Sequence, residues 1–400
     1  MSATDKNSSF SQKLIEQFNM LWFIMALGFG GTSVAGFAFL NNTVTRDGVY
    51  KGMLYLGKIN EFVADMSGLY GAITNYLIVH MVIFGLMHLA ALFGCTVLYI
   101  QWRRNYPEKY SSLLNDTTRN SVLIAPVLAY GMAFNVFLVL GYVFVDWMRI
   151  NMQLIMPYAT FGYGLIWVWT MVVAIRLQAI ALEKGFDLSK MHFGWLLIPF
   201  ALGMTTVTGT GIAYLAHGAL ADIVFFLSIV SFTMAVFLLV VKVFSLFKSH
   251  YSVGLPEKIE FLPAFFVVMP IITLLTISML RYGYYFQHKF DTQLPSAAFA
   301  FIVSAGFGLM TWYMLLGLFM LRSYLKNYLF NTKYFDESQW GLICPMVAYA
   351  VLSTFVFKHG LPYTLTMAVA LTFMLLDVII LITMIGRQYM KIQGRYAQET

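Results

Sequence analysis

Three ionisable side chains lie inside long apolar stretches of this 400-residue chain, where an ionised group is costly. They are His80, His88 and Asp377. Such residues are candidates for function, yet two histidines on one predicted helix do not form a ligand pair, because a haem would need partners on facing helices. We therefore expect no metal, and we expect His88 and Asp377 to lie between helices, where they stabilise packing or tune gating. Asp377 is either protonated or paired with a residue such as His88.

Four prolines recur inside apolar stretches at nearly constant spacing. Pro126, Pro199, Pro270 and Pro345 are separated by 73, 71 and 75 residues. Proline has no amide hydrogen and presses on the carbonyl four residues back, so each proline is predicted to bend its helix. A broken helix at membrane depth is tolerated where protein or a water-filled cavity satisfies its polar groups. The prolines therefore indicate an inward-facing path, although prolines are also more common in membrane helices than in soluble ones.

The stretches that carry these prolines, together with the first stretch, have no charged residue or histidine in their apolar cores. This pattern predicts an uncharged path lined by hydroxyl, amide, thiol and glycine groups. The predicted lining residues, which have small or uncharged polar side chains, are Gly30, Thr32, Asn135, Thr206, Thr276, Cys344 and Thr354. We expect Cys344 at the narrowest region, and Phe134 or Phe355 could act as an aromatic gate.

Composition excludes a soluble globular protein. Hydrophobic residues make up 60% of the chain and charged residues 11%, whereas soluble domains carry about 25% charged residues. A transmembrane helix needs roughly 20 apolar residues. Ten stretches meet this requirement, and they lie near residues 21–40, 77–100, 121–145, 156–180, 193–216, 222–246, 261–283, 296–321, 338–357 and 363–386.

The ten stretches alternate in character, and this alternation predicts the fold. The odd-numbered stretches contain the repeated prolines and most hydroxyl groups, whereas the even-numbered ones consist mostly of large apolar residues suited to lipid. Short connections join stretches 3 and 4, 5 and 6, and 9 and 10, which favours antiparallel neighbours. We predict an all-α membrane protein of ten transmembrane helices, arranged as five repeated helical hairpins. An inner ring of odd helices would surround a pore, inside an outer ring of even helices.

The distribution of charge predicts the orientation in the membrane. If the N-terminus is cytoplasmic, 18 of the 25 Lys and Arg residues fall on the cytoplasmic side and 7 on the other, in agreement with the positive-inside rule. The predicted organisation is a cytoplasmic tail at 1–20, a transmembrane domain at 21–386 and a cytoplasmic tail at 387–400. Because the basic residues flank membrane ends, we expect no nucleic-acid partner. No motif for catalysis or phosphate binding occurs, so we expect neither an enzyme nor a cofactor.

Ten spans, hairpin repeats, prolines on alternate helices and the segment from Trp340 to Pro345 resemble the tellurite-resistance/dicarboxylate transporter family. This family includes the plant slow-type anion channels and their bacterial relatives, and the resemblance covers residues 20–390. It implies a pseudo-fivefold ring, an uncharged pore for small anions, assembly as a homotrimer with one pore per subunit, and a bacterial inner membrane. Many relatives place a phenylalanine near the proline of the ninth helix to plug the pore, whereas Cys344 precedes that proline here.

Three functions of different classes are compatible with the sequence. The first is a channel or transporter in the lipid bilayer for a small inorganic or organic anion. The alternative is a quinol-interacting membrane anchor of a redox complex, which is also helical and uses intramembrane His and Asp residues near a quinone. A third is a non-transporting sensor or assembly factor on the same scaffold. A Soret band or a co-purifying soluble redox subunit would favour the anchor, and a colourless homotrimer would favour the channel.

Overall fold

The computed structural model describes residues 10–44, 53–66, 68–331, 334–360 and 364–394. Within these ranges the regular structure is helical, without strands. Ten helical segments are long and apolar enough to cross a membrane, and we number them spans 1 to 10. In chain order they are Trp22–Thr43, Leu69–Asn105, Asn120–Phe144, Met152–Lys184, Phe193–Leu215, Gly218–Val253, Ile259–Phe290, Ser296–Met320, Glu337–His359 and Thr364–Ile392. The predicted all-helical class and the ten spans are confirmed.

Spans 1, 3, 5 and 9 keep close to their predicted bounds, whereas span 7 and most even spans are longer than their predicted stretches. Span 2 has 37 residues and span 6 has 36, well beyond the roughly 20 needed to cross the hydrocarbon core. Their added turns carry polar and basic residues, such as Arg103 and Arg104 in the last turn of span 2. Basic groups are favourable at a helix C-terminus, so these turns extend the helix past the apolar segment.

Burial separates the two kinds of span. In the most apolar window of each odd span, 61 to 94% of the residues are buried, whereas the even spans bury 28 to 33%. Even spans instead expose large apolar side chains, for example Phe93, Phe161 and Phe301. An exposed apolar surface of this extent fits contact with lipid. Odd spans are therefore surrounded by protein, and even spans face outward.

Each odd span contacts the even span that follows it, and the odd spans also contact one another in a closed series. Span 1 packs against spans 3 and 9, span 5 against spans 3 and 7, and span 7 against span 9. These neighbours are the ones that five hairpins with an inner and an outer ring would require. The ring around a pore itself stays a prediction, which we develop below as part of the proposed function.

The four repeated prolines lie where a 3₁₀ turn passes into an α-helix, and the bend predicted at each of them stays a prediction. Each proline lies in the first turn of the α-helix that follows the 3₁₀ turn. In span 9 the 3₁₀ turn is Glu337–Leu342 and the α-helix starts at Ile343, two residues before Pro345. Pro126, Pro199 and Pro270 occupy equivalent positions. The physical reason is that the amide hydrogens of a first turn have no helical partner, so proline loses nothing there.

Candidate functional site

A first cavity, which we call cavity A, lies where the odd spans begin. Its volume is about 280 Å³. It is lined by residues at the starts of all five odd spans, and by Trp102 and Leu113 from span 2 and the short helix after it. Charged groups of both signs occur in the lining, and Arg119 and Glu260 form an ion pair at 2.5 Å. Both partners are more than a third exposed, so this pair contributes little stability.

His192, in the lining of cavity A, contacts residues at or next to the starts of spans 3, 5 and 7. Its Nε2 donates to the carbonyl of Thr118 at 2.9 Å, and its Nδ1 accepts from the backbone N–H of Gly194 at 3.2 Å. The ring stacks on Phe261, with 3.7 Å between centroids and 7° between planes. Burial lowers the pKa of His192 to about 4, against an opposing contribution from the Thr118 hydrogen bond. The ring is thus neutral at neutral pH, with one donor and one acceptor nitrogen in use.

Acidification is expected to destabilise the protein through His192. Because its pKa is about 4 in the folded state and about 6.5 in an unfolded chain, the unfolded state takes up the proton first as pH falls. Stability is therefore lost between these two values, by about 2 kcal/mol from pH ~7.5 to pH ~5. Thermal unfolding of the detergent-solubilised protein across this range measures the loss. The His192→Gln variant should show a smaller fall, and an equal fall would assign the effect to other groups.

A second cavity, cavity B, continues along the odd spans. Its volume is about 180 Å³, and every described residue that lines it belongs to span 1, 3, 5, 7 or 9. Most of the lining is apolar. The polar residues among them are Asn41, Asn42, Asn135, Thr273 and Arg281. Since cavity A adjoins the starts of these spans and cavity B their later parts, all five odd spans run in the same direction.

The two cavities meet at a single level of the protein. Phe200 and Cys344 are the described residues that line both. Phe200 is 3% exposed and Cys344 is 8% exposed, so both side chains are closely surrounded by other residues. An aromatic ring and a thiol therefore form the partition between cavity A and cavity B.

The sequence profile of the voltage-dependent anion channel family matches residues 17–387. The chain belongs to this family. The match confirms the resemblance to the tellurite-resistance and slow-type anion channel group that the sequence indicated. Comparison with curated protein sequences gives no match. Members of the voltage-dependent anion channel family are channels or transporters and not enzymes, which accords with an apolar ten-span protein.

Two residues form this partition, and one of them was not predicted from the sequence. Cys344 lines both cavities, and its position at the narrowest region stays a prediction. Phe200, which immediately follows Pro199, was not predicted, because an aromatic plug was expected near the proline of the ninth helix or at Phe134 or Phe355. The proline repeat could have indicated it, since Phe200 and Cys344 are each next to a repeated proline, Pro199 and Pro345.

Phe355 and Phe134, the two residues predicted as an aromatic gate, both lie away from the partition. Phe355 lines cavity B, away from the partition. Phe134 lines neither cavity among the described residues and packs toward span 4, where a methyl group added at Gly162 would lie 2.5 Å from its Cζ. A glycine in span 4 thus accommodates the Phe134 ring between two helices.

Of the seven predicted lining residues, Asn135 and Cys344 line a cavity of this anion channel homologue. The other five face neighbouring helices, and they are Gly30, Thr32, Thr206, Thr276 and Thr354. Gly30 packs where a methyl group would collide with Met132, and Thr276 packs against Gly306 in span 8.

The threonines face other helices because each hydroxyl needs a hydrogen-bond partner at membrane depth, and packing supplies one. The hydroxyl of Thr206 donates to the carbonyl of Leu202 at 2.8 Å, and it also lies 3.1 Å from the hydroxyl of Ser231 in span 6. Thr354 accepts from the amide of Asn42 at 2.8 Å. Hydroxyl groups thus join helices in this protein more often than they line its cavities.

The three intramembrane ionisable residues lie between helices, and the described lining of both cavities omits them. His80 donates from Nε2 to the carbonyl of Thr32 at 2.9 Å, and the hydroxyl of Thr32 lies 2.7 Å from Asp377 Oδ2. His88 donates from Nδ1 to the carbonyl of Ala26 at 2.7 Å. Asp377 therefore pairs with Thr32 and not with His88.

Thr32→Val is expected to destabilise the protein by about 1–3 kcal/mol. Asp377 is 1% exposed and its Oδ1 has no hydrogen-bond partner among the described residues. Valine keeps the shape of threonine but removes the hydroxyl, so Oδ2 loses its partner as well. Thermal unfolding measures the loss, and Thr32→Val with Asp377→Leu should recover most of it. An unchanged midpoint in Thr32→Val would show that this hydrogen bond contributes nothing.

Proposed function

We propose that this protein conducts small anions along a path from cavity A, past Phe200 and Cys344, into cavity B. The observation that carries the proposal is that these two residues line both cavities, so one partition divides an otherwise continuous series of spaces along the odd spans. Membership of the voltage-dependent anion channel family supports anions as the permeant class. The pore is then the space enclosed by the closed series of odd spans.

The charge of cavity B also favours anions, whereas cavity A is lined by charged groups of both signs. The described lining of cavity B includes Arg281 and no Asp or Glu. The sequence predicted an uncharged lining, although Arg281 falls near the end of the seventh predicted stretch, 261–283. Span 7 is helical as far as Phe290, and the side chain of Arg281 lines cavity B. In a mostly apolar cavity the effective dielectric is low, so one cation raises the local concentration of anions.

Orientation and assembly complete the proposal. We infer cytoplasmic termini from the excess of Lys and Arg on that side, and cavity A would then open to the cytoplasm. A homotrimer with one path per subunit, in a bacterial inner membrane, is what the family resemblance implies. The exposed apolar side chains of the even spans supply the surface for lipid and for subunit contact.

The quinol-anchor alternative has no supporting observation. His80 and His88 each direct a ring nitrogen at a backbone carbonyl of span 1, at 2.9 Å and 2.7 Å. These nitrogens stabilise helix packing and are not directed into either cavity. Purification without a haem absorption band would agree with this choice.

The function is tested by flux of nitrate and chloride into vesicles that contain the purified protein, compared with protein-free vesicles. A Cys95→Ser background leaves Cys344 as the single thiol. A small charged methanethiosulfonate reagent should then label Cys344 and reduce anion flux. Absence of flux above protein-free vesicles would overturn the proposed function. If Cys344 is labelled and anion flux does not change, the path does not pass this partition.

A further inference from the structure

Arg281 is the one cation in the described lining of cavity B. Its Nη1 donates to the carbonyl of Val207 in span 5 at 2.8 Å. A methyl group added at Gly211 would lie 3.2 Å from this nitrogen, so a glycine on span 5 lets the guanidinium approach the backbone. Within the described part of the chain, Arg281 forms no ion pair with a carboxylate.

Three other polar groups of cavity B already donate to the protein. The amide of Asn135 donates to Thr208 at 3.0 Å, the amide of Asn42 donates to Thr354, and the hydroxyl of Thr273 lies 3.3 Å from the carbonyl of Ala348. A guanidinium has five N–H donors, and one hydrogen bond to Val207 uses few of them. Arg281 is thus the group in this cavity with both a net charge and donors to spare.

We infer that Arg281 forms a binding site for one small monovalent anion in cavity B. This inference rests on the proposed function and names the residue that selects the ion. A guanidinium without a carboxylate partner, in a cavity with no acidic lining residue, needs an anion to balance its charge. A divalent anion would leave an uncompensated negative charge among mostly apolar side chains, which is costly. The small volume of the cavity, about 180 Å³, favours ions such as chloride or nitrate.

The test compares Arg281→Gln with the wild-type protein, because glutamine can still donate to the Val207 carbonyl. Two measurements are made: the rise in unfolding temperature when nitrate replaces gluconate at constant ionic strength, and the nitrate concentration that gives half-maximal flux in vesicles. We expect Arg281→Gln to abolish the rise in unfolding temperature. We expect the half-saturating concentration to increase about tenfold, the effect of losing a charge-assisted hydrogen bond. Compared with Arg281→Gln, the Arg281→Lys variant should regain part of the rise in unfolding temperature and have a lower half-saturating nitrate concentration.

Lys289→Gln is the matched control, because Lys289 lies on the same helix, pairs with Asp222 at 2.6 Å and does not line cavity B. If Lys289→Gln and Arg281→Gln reduced the nitrate stabilisation and raised the half-saturating concentration by equal amounts, the effect would come from diffuse attraction by surface charge. That result would overturn the site. Unchanged nitrate stabilisation and half-saturation in Arg281→Gln would also overturn it, while leaving anion conduction intact. Conversely, nitrate stabilisation that depends on Arg281 in a protein without flux would retain the site and reject the channel.

Discussion

Replacing Phe200 with alanine is expected to raise anion flux in vesicles about tenfold or more, the change produced by lowering a barrier by about 1.4 kcal/mol. The ring of Phe200 and the thiol of Cys344 form the partition between the two cavities. Removing the ring joins the cavities, so an anion no longer has to displace an aromatic side chain. Phe200→Leu should give an intermediate increase, because leucine leaves part of the partition in place.

The same substitution at the two gate residues predicted from sequence provides the controls. Phe355→Ala widens cavity B without touching the partition, and Phe134→Ala removes a ring that lies between spans 3 and 4. Both variants should leave flux per folded protein near the wild-type value. A larger increase in Phe355→Ala than in Phe200→Ala would place the main barrier in cavity B. No increase in Phe200→Ala would show that this ring does not limit conduction.

Gly209→Ala is expected to cause the largest loss of stability among single methyl additions to the inner spans, about 3 kcal/mol by overpacking. The added methyl group would collide with the hydroxyl of Tyr163 and lie 2.6 Å from its Cζ and 2.9 Å from Ser228 Cβ. Tyr163 has no exposed surface and Ser228 has none either, so neither side chain has room to move. Gly209 thus fixes how closely spans 4, 5 and 6 approach.

Gly308→Ala is the control for that prediction. Gly308 is in the interior of span 8, is exposed, and has no heavy atom within 4 Å of an added methyl group. Alanine should stabilise this helix by roughly 0.5–1 kcal/mol, because it restricts the unfolded chain. Unfolding temperatures in detergent measure both variants. If Gly209→Ala unfolds at the wild-type temperature, spans 4, 5 and 6 do not depend on this close approach.

The spans could be predicted from sequence because the cost of apolar surface in water fixes their length and position. Span 5 was placed at 193–216 and is Phe193–Leu215, and span 8 was placed at 296–321 and is Ser296–Met320. Prediction was weaker where polar turns extend a helix, as in span 2, because helix propensity and charge at the helix end act beyond the apolar segment.

The lining of the cavities could be predicted only in part, because composition does not specify how a helix is rotated about its axis. Thr206 and Thr276 have the residue type expected of a lining, yet they face Ser231 and Gly306 on outer helices. Arg281 lies near the end of the seventh predicted stretch, and nothing in the sequence shows that its side chain faces cavity B. Such contacts arise from tertiary packing.

The common direction of the odd spans has a consequence for long-range electrostatics. An α-helix carries a macrodipole with about half a positive elementary charge at its N-terminus. Five parallel odd spans begin around cavity A, so five positive helix ends converge there. The even spans end on the same side with the opposite partial charge, but Arg103 and Arg104 in the last turn of span 2 offset it in that hairpin. The backbone therefore contributes a positive partial charge to cavity A at the start of each odd span, and mutation of single side chains leaves this contribution in place.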